Sequence, residues 1–386
     1  MWDASNLADG LTTIHSFVGH DGRVRALAFN PLDGTVASGG ADGDVRLWLN
    51  QAIPLGVPLV LRGHRDNVKD AAFSPDGMHI LTGSGTSFDD RANDTRLLWW
   101  DWRTGEVLYT LEGHSDSVTS VAISADGKIA VSGSRDESLI LWSLERFEIV
   151  RRLEGNTDWV WSVAISPDGS RILSTARDGA VIVWDAATGE IVRHLEGHVD
   201  WVNSGVFSAD GTQVVTGGDD GKVILWDIES GEIRRTFGGH EGPVHEVAIS
   251  PDGKTILSGS SDFTTIVWNV ENGEQRTRLF DQQGQINGVS YSPDGTTYAT
   301  GAGNGTILLW DATSHTRLQD FEANGEIVRS VSYSPDGAWL LASFDSGLVR
   351  VYALNDTVVM DWVHEHVYLR DFTCDERAKF VIEPLC

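Results

Sequence analysis

The feature that most constrains the fold of this chain is a tryptophan that recurs every 42 residues. The recurring residues are Trp100, Trp142, Trp184, Trp226, Trp268 and Trp310, and Tyr352 takes the next place. The first interval, from Trp48 to Trp100, is 52 residues, so it contains ten extra residues (52 − 42). A fixed period of about 40–45 residues indicates that one structural unit is repeated along the chain.

The segment from Gly189 to Asp227 shows the content of one unit. It holds four runs rich in Val, Ile and aromatic residues, which read IVRHL, WVNSGVF, TQVVT and KVILW. Turns rich in Gly and Asp separate these runs, as is typical of antiparallel strands joined by tight connections. Four strands per unit at this period predict an all-β propeller, in which each unit packs against its two neighbours.

Two dipeptides at fixed places in the unit carry a resemblance to a known family. Gly-His pairs occur at Gly19-His20, Gly63-His64, Gly113-His114, Gly197-His198 and Gly239-His240. Trp-Asp closes the units at Trp100-Asp101, Trp184-Asp185, Trp226-Asp227 and Trp310-Asp311. On these residues the chain resembles the WD-repeat family over roughly residues 11–353. Its C-terminal segment is similar to the tails that close WD proteins of the bacterial multi-repeat type.

The resemblance implies a domain organisation. In this family each repeat supplies the outer strand of one blade and the three inner strands of the next. Residues 11–355 are therefore predicted to form an eight-bladed β-propeller of four-stranded antiparallel blades. Leu11–Val18 is expected to pair with the last inner strands, at about 328–352, and so to remove an open sheet edge.

The two ends of the chain are predicted separately. Residues 1–10 are interpreted as a linker or as the remnant of a preceding segment, because Trp2-Asp3 resembles the end of a repeat. A true start that happens to read Trp-Asp is the alternative. Residues 356–386 are predicted to form a short, partly helical C-terminal cap, although a strand is possible in its first part. Cys374 and Cys386 could be bonded or could remain free thiols.

The resemblance also assigns a structural role to the Gly-His histidines. In this family the His, a Ser or Thr, an Asp and the Trp form a buried hydrogen-bonded chain inside each blade. The matching sets are His114, Ser132, Asp136 and Trp142; His198, Thr216, Asp220 and Trp226; and His240, Ser258, Asp262 and Trp268. Because an unpaired buried polar group is costly, this interpretation is preferred to a catalytic or metal-binding one.

The network is expected to weaken toward the end of the chain. The fourth repeat has Asn156 in place of His, and the seventh has Gln282 and Asn304 in place of His and Asp. The eighth repeat has Asn324, Ala342, Ser346 and Tyr352. Its blade is predicted to be the least stable of the ring.

Charge and cysteine usage exclude several classes of function. The chain has 29 basic and 56 acidic residues, a net charge of −27, which argues against nucleic acid and anionic membrane as partners. Both cysteines lie in the tail, so neither a disulfide framework nor a zinc pattern supports the ring. No membrane-spanning run or secretion signal is visible, and a cytoplasmic monomer without metal or cofactor is expected.

The candidate binding surface is the top entrance of the central channel. Two positions per repeat, just before and just within the innermost strand, are expected there. The second position reads Arg25, Lys69, Thr119, Trp161, Asn203, His245, Asn287 and Arg329. Neighbouring repeats bring Trp159, Trp161 and Trp201 together, and Arg135 and Arg177 precede the network aspartates. Trp and Arg are enriched in binding hot spots. The alternative is that these tryptophans only pack between blades.

One loop offers a further partner contact. The ten-residue insertion lies near Gly85–Asn93 and places Phe88 on a polar, acidic loop of the top face. Drift in loop length is the other explanation, because surface loops accept insertions at low cost.

Three functional hypotheses remain open. The first is a non-catalytic scaffold that binds a protein or peptide on its top face. The second is a sensor or regulatory domain of a larger bacterial signalling or effector protein. The third is a small-molecule or sugar-binding propeller, for which no convergent carboxylates are visible. No nucleophile–base–orienter set can be found, so catalysis is not expected.

Overall fold

The computed structural model describes most of the chain as β-strands and turns. The described residues are 15–17, 20–21, 23–29, 36–48, 59–76, 78–85, 94–101, 104–322, 325–333, 337, 339–344 and 349–354. Their strands form eight four-stranded antiparallel sheets, numbered here in chain order. No helix occurs among these residues.

The first four sheets follow one another along the chain. The first sheet contains β2 (Val24–Phe29), β3 (Val36–Gly40), β4 (Asp44–Trp48) and β5 (Leu59–Arg62). The second contains β6 (Asn67–Phe73), β7 (His79–Gly85), β8 (Leu97–Asp101) and β9 (Glu106–Leu111). The third contains β10 (Val118–Ile123), β11 (Ile129–Ser134), β12 (Ser138–Ser143) and β13 (Glu148–Glu154). The fourth contains β14 (Val160–Ile165), β15 (Arg171–Ala176), β16 (Val181–Asp185) and β17 (Ile191–His194).

The last four sheets repeat this order with one exception. The fifth contains β18 (Val202–Phe207), β19 (Gln213–Gly218), β20 (Lys222–Asp227) and β21 (Ile233–Gly238). The sixth contains β22 (Val244–Ile249), β23 (Thr255–Ser260), β24 (Thr265–Asn269) and β25 (Gln275–Leu279). The seventh contains β26 (Ile286–Tyr291), β27 (Thr297–Ala302), β28 (Thr306–Asp311) and β29 (Arg317–Glu322). The eighth contains β30 (Val328–Tyr333), β31 (Trp339–Phe344), β32 (Val349–Ala353) and the N-terminal β1 (His15–Phe17).

The first strand of each sheet lines the centre of the ring. β2, β6, β10 and the later first strands each contact the next first strand, and β2 also contacts β30 and β31 of the eighth sheet. The second and third strands are almost entirely buried, whereas the fourth is exposed, as in β13. This gradient is expected where twisted sheets pack face to face, because their middle strands are covered on both sides.

Apolar clusters fill the spaces between consecutive sheets. Seven clusters occupy the seven interfaces from the first sheet to the eighth. Trp142, Trp184 and Trp226 are at most 1% exposed. Glycine lets the sheets approach closely, because a β-carbon on Gly217 would lie 2.6 Å from Val244 Cγ1 of the next sheet.

β1 pairs with β32 in the eighth sheet. His15 lies opposite Val351 and Phe17 lies opposite Val349. The N-terminal strand therefore completes a sheet whose other strands come from the opposite end of the chain, the pairing that the repeat pattern predicted. The backbone of β32 is thereby paired on both sides.

The predicted fold class needs correction. The described residues contain no helix, and the predicted partly helical cap at residues 356–386 lies outside them, as do residues 1–10. The helical prediction depended on apolar spacing over one short segment, which does not separate a helix from a strand. The described part of the propeller is therefore all-β and contains eight four-stranded sheets.

Candidate functional site at the upper face of the ring

The network residues of the third sheet lie within hydrogen-bond distance of one another. His114 places Nδ1 2.9 Å from Asp136 Oδ2 and Nε2 2.8 Å from Ser132 Oγ, and Trp142 Nε1 donates to the same hydroxyl at 2.8 Å. Although burial raises the pKa of Asp136, hydrogen bonding and the charge of His114 lower it overall. Both ring nitrogens of His114 are occupied, so the residue has a structural role here.

The fifth and sixth sheets show the same arrangement. His198 lies 2.9 Å from Asp220 and 2.8 Å from Thr216, which accepts from Trp226. In the sixth sheet the corresponding residues are His240, Asp262, Ser258 and Trp268. In each sheet the Asp also accepts from the backbone N–H that follows the His, as Asp136 does from Ser115 at 2.9 Å. The network therefore fixes the Gly-His turn against the turn between the second and third strands. These two sets of turns form what we call the upper face.

Replacements keep part of this network in other sheets. Asn156 lies 3.3 Å from Ser174, and Gln282 accepts from Thr300 Oγ1 at 2.7 Å. In the second sheet His64 still reaches Thr82 at 2.7 Å and Asp94 at 3.1 Å. The network therefore survives the insertion between β7 and β8. Phe88, Asn324 and Ser346 lie outside the described residues or have no described side chain.

A β-bulge in every innermost strand selects the residue that reaches the channel mouth. The register between first and second strands shifts at the same place in all eight sheets, for example between Val160 and Ser162 and between Val202 and Ser204. The skipped residues are Arg25, Lys69, Thr119, Trp161, Asn203, His245, Asn287 and Arg329. The second strand places no residue directly opposite a bulged residue, and the side chain of the bulged residue is re-aimed.

Three bulged residues join neighbouring sheets. Thr119 donates to the carbonyl of Val160 at 2.7 Å, Asn203 to that of Val244 at 3.0 Å, and Asn287 to that of Val328 at 2.8 Å. These bonds connect the third, fifth and seventh sheets with the sheet that follows each of them. The other bulged positions carry cationic or aromatic residues, so these side chains make the channel mouth locally cationic and aromatic.

The predicted arginines and tryptophans assemble into an alternating stack, which we call the Arg–Trp ladder. The Arg135 guanidinium lies 4.4 Å from the ring centroid of Trp159, and that of Arg177 lies 4.5 Å from it. Arg177 also lies 4.4 Å from the centroid of Trp201. Trp161 is next to the end of the ladder, with its ring centroid 6.3 Å from that of Trp201. Cation–π contacts of this kind are favourable and hold the planes in register.

The ladder tryptophans differ from the network tryptophans in exposure. Trp159, Trp161 and Trp201 are partly exposed, whereas Trp226 is fully buried. Packing therefore leaves part of the surface of these three tryptophans accessible. A partly exposed stack of aromatic and guanidinium planes can receive apolar groups on its faces and anionic groups at its edges.

The upper face also carries exposed apolar side chains. Val199 is 80% exposed, Phe280 is 66% exposed and Phe263 is 50% exposed, and all three lie in turns of this face. Ile327, at the position equivalent to Trp201, is 37% exposed. Met78, in a turn at the other end of the strands, is 48% exposed. Exposed apolar groups next to a polar surface are typical of protein-binding sites.

Sequence reasoning missed a cationic pocket at the channel mouth. The pocket has a volume of about 350 Å³ and is lined by Arg23, Val24, Arg25, Lys69, Thr119, Arg135, Trp161 and Arg329. Burial, together with the charges of Arg25 and Arg135, lowers the pKa of Lys69 to about 7. The residue types at the eight bulged positions did contain a signal for this pocket. However, the prediction weighted tryptophans over cations, and the overall acidity hid a local excess of positive charge.

The described residues do not suggest metal chemistry or a membrane span. They contain no group of three or more His, Cys, Asp or Glu side chains that could hold a metal ion. Nor do they contain a helix long and apolar enough to cross a membrane.

The ring of four-stranded sheets and the His–Ser/Thr–Asp–Trp network are those of a WD-repeat β-propeller. Residues 159–370 match the family described as IFT122 first beta-propeller, and residues 11–48, 57–101 and 105–143 match WD domain, G-beta repeat. Because the first match spans more than half of the chain, the chain belongs to that family of β-propellers. The bacterial type expected from the sequence stays a prediction.

Individual proteins resemble this chain over parts of their length. Transducin beta-like protein 3 of Bos taurus is 33% identical over 118 residues, which are 31% of this chain and 14% of that protein. Intraflagellar transport protein 122 homolog of Homo sapiens is 39% identical over 72 residues, which are 19% of this chain and 5% of that protein. The crystal structure of the computationally designed Ika8 protein superimposes with a TM-score of 0.77 at 28% identity, covering 89% of this chain and all of that one.

Proposed function

We propose that this propeller is a non-catalytic scaffold that binds a protein or peptide on its upper face. WD-repeat propellers are typical protein-interaction scaffolds. The observation that supports this use most strongly is the Arg–Trp ladder, in which Arg177 lies 4.5 Å from Trp159 and 4.4 Å from Trp201. Trp and Arg are the residue types most enriched in binding hot spots.

The ladder suggests the chemistry of the partner. Its guanidinium groups offer charge-assisted hydrogen bonds to carboxylates, and its rings offer large, rigid apolar surfaces. The chain carries a net charge of −27, so this cationic patch contrasts with the acidity of the whole molecule. We therefore propose that the partner segment contains acidic and aromatic residues, in agreement with electrostatic steering toward a local positive site.

Replacement of two ladder tryptophans tests this function. The double variant Trp159→Ala with Trp201→Ala should fold like the parent, because both residues are partly exposed, but it should lose capture of the partner that co-purifies from lysate. Loss of two hot-spot residues costs about 4 kcal/mol or more in binding, roughly a thousandfold in affinity.

The matched control removes exposed apolar surface elsewhere. Leu108→Ala with Val150→Ala changes two outer-strand residues that are 40% and 42% exposed. This control should retain capture. If the ladder variant still captures the same partner as strongly as the parent, the ladder is not the interface.

A role as a regulatory domain of a larger protein is a second candidate. The observation that favours it is that two of the similar proteins are much longer than the segment that matches this chain. The matched segments span 14% and 5% of those proteins. In that case the ladder would receive a segment of the same protein. Capture by the isolated propeller of a peptide encoded in continuous upstream sequence would support this alternative.

A further inference from the structure

We infer that the cationic pocket at the upper mouth of the channel binds a compact oligophosphate. This inference goes beyond the proposed scaffold function and does not depend on it. The pocket and the ladder share Arg135 and a boundary at Trp161. Lys69 and Arg329 belong to the pocket alone, so the two sites can be tested separately.

The first argument is the composition of the pocket wall. Five of its eight lining residues are cationic, and none of the eight is acidic. They come from four different sheets, since Arg23 and Arg25 belong to the first, Lys69 to the second, Arg135 to the third and Arg329 to the eighth. The positive charge of the pocket therefore arises where several sheets meet in the closed ring, and no single strand supplies it.

The second argument is the way in which the backbone aims these side chains. Arg25, Lys69 and Arg329 are bulged residues of β2, β6 and β30. The equivalent residues Thr119, Asn203 and Asn287 hydrogen-bond to the next sheet. Neutral side chains of suitable length can therefore serve as tethers at these positions, so sheet packing alone does not require a cation there. We therefore attribute the positive charge at these positions to ligand binding.

The third argument is mutual repulsion within the cluster. Arg25 on β2 and Arg135 after β11 both lower the pKa of Lys69, whereas Asp66, just before β6, raises it, and burial is the largest cause of the decrease to about 7. Arg23 and Arg329 line the same pocket. A ligand that carries several negative charges would relieve this repulsion.

Phosphate is the anion that fits this lining best. Guanidinium forks donate two parallel hydrogen bonds to phosphate oxygens, and lysine adds a point charge. Five basic side chains can contact more anionic oxygens than a single carboxylate or a single phosphate offers. A pocket of about 350 Å³ accommodates a chain of two or three phosphate groups.

Calorimetry with three probes tests the inference. Sodium tripolyphosphate should bind the full chain with one-to-one stoichiometry, at least tenfold more tightly than inorganic phosphate or a hexaglutamate peptide. Its affinity should fall steeply with added salt, as for other ligands bound mainly by charge. Equal or tighter binding of hexaglutamate would overturn the phosphate assignment, and lack of tripolyphosphate binding would overturn the site.

Two substitutions locate the binding. Lys69→Met and Arg329→Gln should each weaken tripolyphosphate binding at least tenfold. Lys128→Met, in the turn between β10 and β11 at the other end of the strands, should change it less than twofold. Unchanged binding in both pocket variants, or equal weakening in all three, would contradict the site. Thermal melting checks that each variant is folded.

Proton uptake provides a readout that a structural role would not change. At pH 8 the free Lys69 amine is largely neutral because its pKa is about 7, and a bound oligophosphate should restore its proton. Titrations in two buffers of different ionisation enthalpy should show an uptake approaching about one proton relative to Lys69→Met. Equal uptake by parent and variant would exclude Lys69 from the site.

Discussion

Glu246 shows how single buried groups connect the sheets near the channel. Its carboxylate, on β22 of the sixth sheet, accepts from the backbone N–H of Val289 in the seventh sheet at 3.1 Å. Ser120 and Asp70 hold the equivalent position in other sheets and accept from Val163 and Val121. Burial raises the pKa of Glu246 to about 8 and that of Asp70 to about 6. Because burial disfavours the charged form of these two acids, they lower the stability of the folded chain at neutral pH.

The raised pKa of Glu246 predicts a dependence of stability on pH. The unfolded chain loses this proton near the ordinary value of 4.5 and the folded chain near 8, so the folded state binds more protons between them. Stability contributed by this group should fall as pH rises through that window. Glu246→Gln keeps the acceptor for Val289 without the charge. It should raise the free energy of unfolding by about 4 kcal/mol at pH 8 and by about 1 kcal/mol at pH 5.

Urea denaturation at both pH values measures this difference. Glu232→Gln, in an exposed turn of the fifth sheet, is the matched control and should follow the parent at both pH values. If Glu246→Gln differs from the parent by the same amount at pH 5 and pH 8, its carboxyl does not titrate in the way proposed.

At the scale of strands, periodicity predicted the elements but not their irregularities. The runs between Gly189 and Asp227 became β17 to β20, because alternation and turn residues report local structure directly. The bulges were not visible, since a bulge is defined by pairing with a second strand. The Arg–Trp ladder could be anticipated because its members fall at equivalent repeat positions. The cationic pocket was missed, although Arg25, Lys69 and Arg329 also fall at equivalent repeat positions, because the prediction weighted tryptophans over cations.

Ring closure by β1 yields a prediction about this element. Deletion of residues 1–18 would remove β1 and leave one edge of β32 unpaired. The truncated protein should melt several degrees lower and should associate at high concentration, because exposed strand edges pair with other chains.

Deletion of residues 1–10 alone is the control for this experiment, since it keeps β1. Thermal melting and light scattering compare the two truncations. Equal melting temperatures and equal mass would show that the pairing of β1 with β32 contributes nothing to stability.

At the scale of the whole molecule, charge is distributed unequally. The net charge of −27 is spread over the chain, whereas the channel mouth gathers five cationic side chains from four sheets. Bulk composition argued against a cationic nucleic-acid footprint, which stays a prediction, and it gave no information on the local site. The hydrogen-bond networks hold the turns that present this mouth, as His198 does for the turn before Trp201. The networks and the proposed binding surface thus lie on the same face of the ring.

The central claim is that partners engage the upper face and not the opposite one. A photo-reactive benzoylphenylalanine tests it directly when placed at either end of β18, at Val199 before the strand or at Ala209 after it, both exposed residues. Irradiation with the co-purifying partner should give a cross-link from position 199 and none from position 209. Cross-linking from position 209 alone, or equally from both positions, would contradict the account.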